Sequence, residues 1–343
     1  MKILITGSAG FIGYHLVKRL LGKGDEIYGL DNLNSYYDTR LKYDRLAACG
    51  ITAVPEYGEE VKAGEQREYT FIRMDLEDAE GLQKLFASHS FDVVVNLAAQ
   101  AGVRYSLSHP EQYVQSNITG FLNLLECCRK CNGIRVIYAS SSSVYGNNTS
   151  TPFREDDRTD RQVSMYAVSK RCNELMAFTY AQLYGLQMIG LRFFTVYGPY
   201  GRPDMAPMLF AGAIVNGEEI RIFNNGELWR DFTCVEDIVE GMEKIILTPG
   251  IRREDVPGIP STLYNIGRGE PVFLLDFIRL LEEKLGRTAK KQYVEMQPGD
   301  VYKTWAATDR LREDYGYAPQ TSLEEGITRF TGWLKEMPHI LSR

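Results

Sequence analysis

Through about the first 200 residues, short apolar runs alternate with amphipathic stretches, the pattern of a parallel sheet with crossover helices. The apolar runs predict strands over 2–6, 26–30, 70–73, 93–97, 135–139 and 187–192. The amphipathic stretches predict helices over 11–21, 81–88, 110–129 and 164–183. A sheet of this kind binds its ligand at the carboxyl ends of the strands, near the point where strand order reverses. The final third is less regular. It predicts a helix over 238–247, a strand over 262–266 that returns to the main sheet, and a helix over 274–285. The segments between, rich in Gly, Pro and aromatics, predict a smaller lobe over the sheet. Residues 51–68 are acidic, contain glycine and show no period, which predicts an exposed insertion.

Gly7-Ser8-Ala9-Gly10-Phe11-Ile12-Gly13 lies between the first predicted strand and the first predicted helix. Glycine spacing alone is a weak signal; the order strand, glycine turn, apolar helix makes it specific. Gly7 permits the tight turn, Gly10 lets the backbone approach a pyrophosphate, and Gly13 lets helix pack on strand. The helix N-terminus offers N–H groups and a positive dipole end to phosphates. Asp31 follows the second strand, where an acid accepts ribose hydroxyls and repels a 2′-phosphate. No arginine neighbours it, so the expected dinucleotide is NAD rather than NADP. The bland alternative is a structural turn and a surface acid.

Tyr166-Ala167-Val168-Ser169-Lys170 places a tyrosine and a lysine at i and i+4, on one helix face. With a solution pKa near ~10, tyrosine is a poor base at neutral pH. A neighbouring ammonium and a positively charged nicotinamide both favour phenolate, and the lysine can also bond the nicotinamide ribose. Ser140, Ser141, Ser142 and Ser143 stand at the end of a predicted central strand, where one hydroxyl can relay a proton between the tyrosine and a substrate hydroxyl. Four serines cannot all be catalytic, and the others fit a turn that caps its own backbone.

Composition narrows the classes. The 343 residues are 44% apolar and 24% charged, with a net charge of −6, so nucleic acid is not an expected partner. No run approaches the ~18 apolar residues of a membrane span. The apolar N-terminus runs straight into the glycine turn, so no export signal is read, no membrane contact is expected, and the expected compartment is the cytoplasm. Cys128 and Cys131 have CxxC spacing without a second pair, and the four histidines show no ligand spacing, so no metal is expected.

With these motifs assembled, the chain resembles the extended short-chain dehydrogenase/reductases over nearly its whole length, and within them the branch that epimerises UDP-hexuronic acids. The matching stretches are the glycine turn, Met74-Asp75-Leu76, the run from Asn96 to Arg104, the serine strand end, Tyr166 with Lys170, and the run from Arg192 to Met205. Further matches are Arg230-Asp231-Phe232-Thr233 and Gln297-Pro298-Gly299-Asp300. The resemblance implies an α/β fold: a Rossmann-type doubly wound parallel sheet with a smaller C-terminal substrate-binding lobe. Residues 1–194 and 231–266 would form the NAD-binding part, and 195–230 and 267–343 the nucleotide-sugar lobe.

It implies an isomerase that converts UDP-glucuronate to UDP-galacturonate through a transient 4-keto sugar. Tyr166, Lys170 and Ser141 would be catalytic. Asp75 and Leu76 would flank the adenine, Leu97, Ala98 and Ala99 would line the pyrophosphate and ribose, and Asn117 would support that region. Phe193 would lie near the nicotinamide, with Phe11, Ile12, Asn32, Gln100 and Ser140 also around the cofactor. Thr195, Arg230 and Asp300 would hold the diphosphate, and Arg221 and Phe223 would flank the uracil. Ser142, Ser143 and Arg104 would join the sugar site, and Arg202 would meet the sugar carboxylate, which a guanidinium can bind bidentately. Related epimerases for neutral sugars carry arginine where this chain has Gln297, which shifts phosphate binding towards Arg230.

The same resemblance leaves other activities open. A UDP-glucose or UDP-N-acetylglucosamine epimerase is disfavoured by Arg202 and Gln297. A 4,6-dehydratase would need an Asp-Glu pair where serines stand, and a decarboxylase a glutamate in place of Ser143. A non-catalytic scaffold on the same fold would not need Tyr166, Lys170 and Ser141 together. The helices predicted over 110–129 and 164–183 resemble those that pair relatives into homodimers.

Overall fold

The computed structural model describes residues 1–53, 55–64, 68–295, 301–337 and 340. The first seven strands are β1 (Lys2–Thr6), β2 (Glu26–Asp31), β3 (Glu60–Lys62), β4 (Tyr69–Arg73), β5 (Val93–Asn96), β6 (Arg135–Ser141) and β7 (Gln187–Phe193). Four short strands follow, β8 (Thr195–Tyr197), β9 (Glu219–Phe223), β10 (Trp229–Arg230) and β11 (Phe232–Cys234), and then β12 (Ser261–Ile266). The last are β13 (Val272–Phe273), β14 (Lys290–Val294) and β15 (Lys303–Thr304).

The main sheet has eight strands in the order β12-β7-β6-β5-β1-β2-β4-β3. Every pairing in it is parallel except that of edge strand β3, which runs antiparallel to β4. Strand order reverses between β1 and β5, the switch point at which such sheets open a crevice beyond their carboxyl ends.

The helices are α1 (Phe11–Leu20), α2 (Arg40–Ala47), α3 (Ala79–Ser88), α4 (Tyr105–Ser108), α5 (Pro110–Tyr113), α6 (Gly120–Cys128) and α7 (Met165–Tyr184). They continue with α8 (Ala206–Asn216), α9 (Val235–Leu247), α10 (Leu274–Leu285), α11 (Asp309–Tyr315) and α12 (Leu323–Glu336). Helices cover both faces of the sheet, which is why its strands read as continuous apolar runs. Ile3 and Ile5 of β1 pack with Leu16 and Val17 of α1 and with Ile238 and Met242 of α9. Leu4 points the other way, into the cluster with Leu82 of α3, Leu124 of α6 and Ala177 of α7. A separate cluster holds the smaller lobe together. There Phe277 of α10 stacks on Phe232, with ring centroids 4.2 Å apart, and meets the Tyr197 ring edge-on at 5.7 Å.

Two expectations change, and α2, α4, α8, α11 and α12 are helices outside the predicted ones. The helix expected over 110–129 is α5, a π-helical stretch Val114–Thr119, and α6. An apolar face persists through a π turn, so periodicity does not register it. The insertion expected over 51–68 carries β3, whose three residues are too few to show alternation. Helix α2 is absent from the sequence reading because its buried face is partly cationic: Lys42 and Arg45 lie inside beside Leu41 and Leu46. Arg45 donates to Ala9 O at 2.8 Å, to the Tyr37 hydroxyl at 2.6 Å and to Tyr200 O at 2.7 Å.

Phe277→Ala should cost about 3–5 kcal/mol of stability, because it empties the centre of the lobe's core. Urea unfolding read by fluorescence would measure this.

Candidate active site

A cleft of about 1200 Å³ runs along the carboxyl ends of the central strands, with the lobe on its far side. Its floor includes Gly7, Asp31, Met74, Leu97, Ser141 and Phe193, each at or just past a strand end.

The glycine turn is sterically closed to other residues. Gly7 has φ +70°, and a Cβ on it would lie 2.7 Å from Ala98 N. A Cβ on Gly13 would fall on the Gly7 carbonyl. Gly10 caps α1 with extended backbone, no side-chain cap and no acid in the first helical turn. Phe11, Ile12 and Gly13 all line the cleft, so this helix start suits an anionic diphosphate. Across the crevice the Thr6 hydroxyl donates to Asn96 Oδ1 at 2.6 Å and accepts from Ala98 N at 3.2 Å, which fixes the run Leu97, Ala98, Ala99. Asn117, in the π-helical stretch, is 2% exposed and lies behind the cleft wall. Its side chain accepts from Gln100 N at 2.8 Å and donates to Gln100 O at 3.0 Å and to the Ser169 hydroxyl at 2.9 Å.

At the end of β2, Asp31 Oδ1 accepts from Leu33 N at 2.9 Å and from Lys42 Nζ at 3.4 Å. Asn32 lines the cleft and donates to Asp75 Oδ1 at 2.7 Å. Leu76 also lines it, whereas Asp75 is not among the lining residues and its carboxylate is engaged by that amide.

Tyr166 and Lys170 project from the first turns of α7, which Ser164 caps by accepting from Ala167 N at 3.1 Å. Both reach the cleft. The Lys170 ammonium donates to Ala139 O at 2.9 Å, and burial lowers its pKa from 10.5 to about 8. Burial also raises the pKa of the Tyr166 phenol; the Ser141 hydroxyl and the Arg202 guanidinium oppose this, and Asp204 adds to it. The expected lowering by the neighbouring lysine is therefore not what the chain's own residues produce: desolvation dominates, and the ammonium is aimed at a backbone carbonyl. Ser141 Oγ accepts from Ser143 N at 3.2 Å and from Ser143 Oγ at 2.9 Å, so it caps the short 3₁₀ turn Ser142–Tyr145 while facing the cleft. Ser140 lines the cleft, but its hydroxyl is committed to Glu174 at 2.6 Å.

Glu174, one turn beyond Lys170, joins α7 to two strand ends. Besides Ser140 it accepts from Arg192 Nε at 2.8 Å and Nη2 at 3.0 Å, and from Arg171 at 2.8 Å. Its side chain is 1% exposed and that of Arg192 2%. Burial alone would raise the Glu174 pKa, but the Arg192 charge and these hydrogen bonds hold it below the ordinary value.

On the lobe side, Thr195, Arg202, Arg221, Phe223 and Arg230 all line the cleft, with Ser142, Ser143 and Arg104 opposite. Arg202 is clamped by Asp204, Nε to Oδ1 at 3.0 Å and Nη2 to Oδ2 at 2.6 Å, and the Tyr36 hydroxyl donates to the same carboxylate at 3.0 Å. Burial would raise the Asp204 pKa; the guanidinium and the phenol lower it instead. The Arg104 guanidinium lies 4.8 Å from the Phe223 ring centroid, across the cleft. Arg230 donates to Trp229 O at 2.9 Å and Tyr302 O at 3.3 Å. Beside it, Asp231 is wholly buried and accepts from the Ala306, Arg268 and Gly269 amides, a bracing role for that part of the motif. Asp300 and Gln297 lie outside the described residues.

The sequence reading missed Tyr36, Lys42, Asp204 and Glu174. Glu174 stood in plain view at i+4 from Lys170, and Asp204 within the Arg202 motif. Lys42 and Tyr36 reach the cleft only because the chain after β2 folds back, which periodicity does not encode.

Residues 3–267 match the NAD dependent epimerase/dehydratase family. The chain is 46% identical over 345 residues to Protein CapI of Staphylococcus aureus, covering 98% of this chain and 99% of that protein. It is 43% identical over 347 residues to UDP-glucuronate 4-epimerase 4 of Arabidopsis thaliana, covering 97% and 75%. Its fold is similar to that of the UDP-glucuronic acid 4-epimerase from Bacillus cereus in complex with UDP-glucuronic acid and NAD, with a TM-score of 0.85, 31% identity, and coverage of 98% of this chain and 100% of that one. With the glycine cradle, the Tyr166/Lys170 helix and a family match across most of its length, the chain belongs to the NAD dependent epimerase/dehydratase family.

Proposed function

We propose that this chain inverts C4 of UDP-glucuronate, giving UDP-galacturonate, with NAD held along the strand ends. The observation that carries the reading is Arg202. It is a guanidinium fixed by Asp204 inside the cleft and close enough to Tyr166 to pull on the phenol. A cation held there suits a sugar that bears a carboxylate two carbons from the reacting one.

Gly7, Gly10, Phe11, Ile12 and Gly13 would hold the diphosphate, Asp31 and Asn32 the adenosine ribose, and Leu97 to Gln100 the opposite wall, with Asn117 bracing Gln100. Phe193, Ser140, Tyr166 and Lys170 would border the nicotinamide end, and Leu76 the adenine. NAD, when bound, supplies the acceptor for the C4 hydride and its return. Tyr166 takes the proton of the C4 hydroxyl, with the Ser141 hydroxyl as the bridging donor and acceptor. Ser141 and Arg202 work against burial to make the phenol a better base. Thr195, Arg221, Phe223 and Arg230 hold the nucleotide while the sugar turns its other face towards Tyr166, which then returns the proton. Arg104, Ser142 and Ser143 border the sugar. Glu174 positions both reacting side chains by bolting α7 to β6 and β7.

A 4-keto group lies β to the C6 carboxylate, an arrangement that loses CO₂ readily. Arg202 keeps that carboxylate in an orientation that does not favour C–C cleavage. The chain further forms a homodimer through α6 and α7. Val168, Leu175 and Leu183 make an exposed apolar stripe along α7, and Val114 and Leu122 are exposed on the neighbouring segment.

Product analysis by NMR should show UDP-glucuronate and UDP-galacturonate interconverting, while UDP-glucose is left largely unchanged; a preference for UDP-glucose would refute the proposal. Arg202→Ala should weaken uronate binding by about tenfold or more and release nucleotide pentose; unchanged affinity with clean epimerisation would discard the arginine's role. Lys170→Met should be inactive yet more stable than the parent near about pH 7, with the gap closing towards about pH 10. Between the folded pKa and the ordinary one the unfolded chain binds more protons, so the parent gains stability as pH rises. Urea unfolding across that range checks it. Leu175→Asp should convert a dimer mass to a monomer mass in light scattering.

A further inference from the structure

The adenosine end of the cleft holds a cation that the sequence does not announce. Lys42 of α2 is 4% exposed, with Nζ 3.4 Å from Asp31 Oδ1 and 3.2 Å from Asn34 Oδ1. The ammonium also lies 5.5 Å from the Tyr37 ring centroid. Asp31 itself is 6% exposed, and Asp31, Asn34, Tyr37 and Lys42 all line the cleft.

We infer that Lys42 is a masked 2′-phosphate subsite, and that Asp31 selects NAD chiefly by cancelling this lysine rather than by standing in a cation-free pocket. The inference rests on the dinucleotide reading above.

An acid at the end of β2 excludes a 2′-phosphate by repulsion when nothing offsets its charge. Here an ammonium lies within an ion-pair distance, and both groups are nearly dry, so water and salt screen them little. The pair has no net charge. Arg45, Arg40 and Asp75 nearby have partners of their own. Arg45 donates to Ala9 O, Tyr37 and Tyr200 O; Arg40 pairs with Asp38; and the Asp75 carboxylate accepts from Asn32. With the Asp31 charge removed, Lys42 remains fixed by Asn34 and Tyr37. It is then a compact ammonium at the place where a ribose 2′-substituent would sit, which is the chemistry of a phosphate-binding lysine.

Calorimetric titration of the full chain with NAD, NADP and adenosine 2′,5′-bisphosphate tests this. The parent should prefer NAD. Asp31→Asn should weaken NAD and tighten both 2′-phosphorylated ligands by about ten- to hundredfold, the worth of a hydrogen bond to a charged group. The gain should vanish in Asp31→Asn/Lys42→Met. Asp31→Ser gives the same expectation by a second route should the asparagine variant fold poorly. A parent that binds NAD while neither Asp31 variant gains affinity for the 2′-phosphorylated ligands would overturn the inference alone. So would a gain that persists without Lys42. A parent that binds no dinucleotide would remove the underlying reading and this one with it.

Discussion

The buried ion pair between Glu174 and Arg192 is the constraint on which the site depends. Two charges taken out of water are tolerable only when each has enough hydrogen-bond partners. Glu174 has Ser140, Arg171 and the Nε and Nη2 donors of Arg192, and Arg192 Nη1 adds Tyr145 and the Glu155 carbonyl. The pair ties three elements together at one level. These are α7, which carries Tyr166 and Lys170; β6, which ends in Ser141; and β7, which ends in Phe193. The relative placement of phenol, hydroxyl and strand floor is therefore set by one saturated polar knot rather than by loops.

Around that knot the chemistry is a balance of desolvation against local charge. Burial acts in the same sense on every group, disfavouring ions: it raises the Tyr166 phenol and depresses the Lys170 ammonium. Opposing it are fixed partners with small reach, namely the Ser141 hydroxyl and the Arg202 guanidinium. Arg202 can hold its charge in that setting because Asp204 and Tyr36 accompany it. The same logic recurs at the other end of the cleft in Asp31 and Lys42. At both places pairing lets the cavity keep charged side chains beside a partner of opposite sign.

Much of this was legible in the sequence. Apolar runs located the central strands within a residue or two, because strands buried on both faces must be apolar throughout. The glycine turn and the Tyr166/Lys170 spacing are local geometries, and local geometry is what a linear pattern records. Buried polar contacts between distant segments were not legible. Lys42 meets Asp31 only after α2 folds back, and the π turn that seats Asn117 keeps the apolar face of an ordinary helix. Spacing likewise shows which side chains share a helix face, but not that the lysine turns to the Ala139 carbonyl.

A single residue, Phe194, separates β7 from β8. It is buried, and its N–H is bonded to Ile266 O at 3.1 Å, while Thr195 N is bonded to Asp231 O at 3.1 Å. The floor of one part and the first strand of the other are thus one taut backbone with no slack to swing on. The lobe cannot work as a freely hinged door at this junction. Across the mouth the two sides meet through side chains instead, as where Arg104 lies over Phe223.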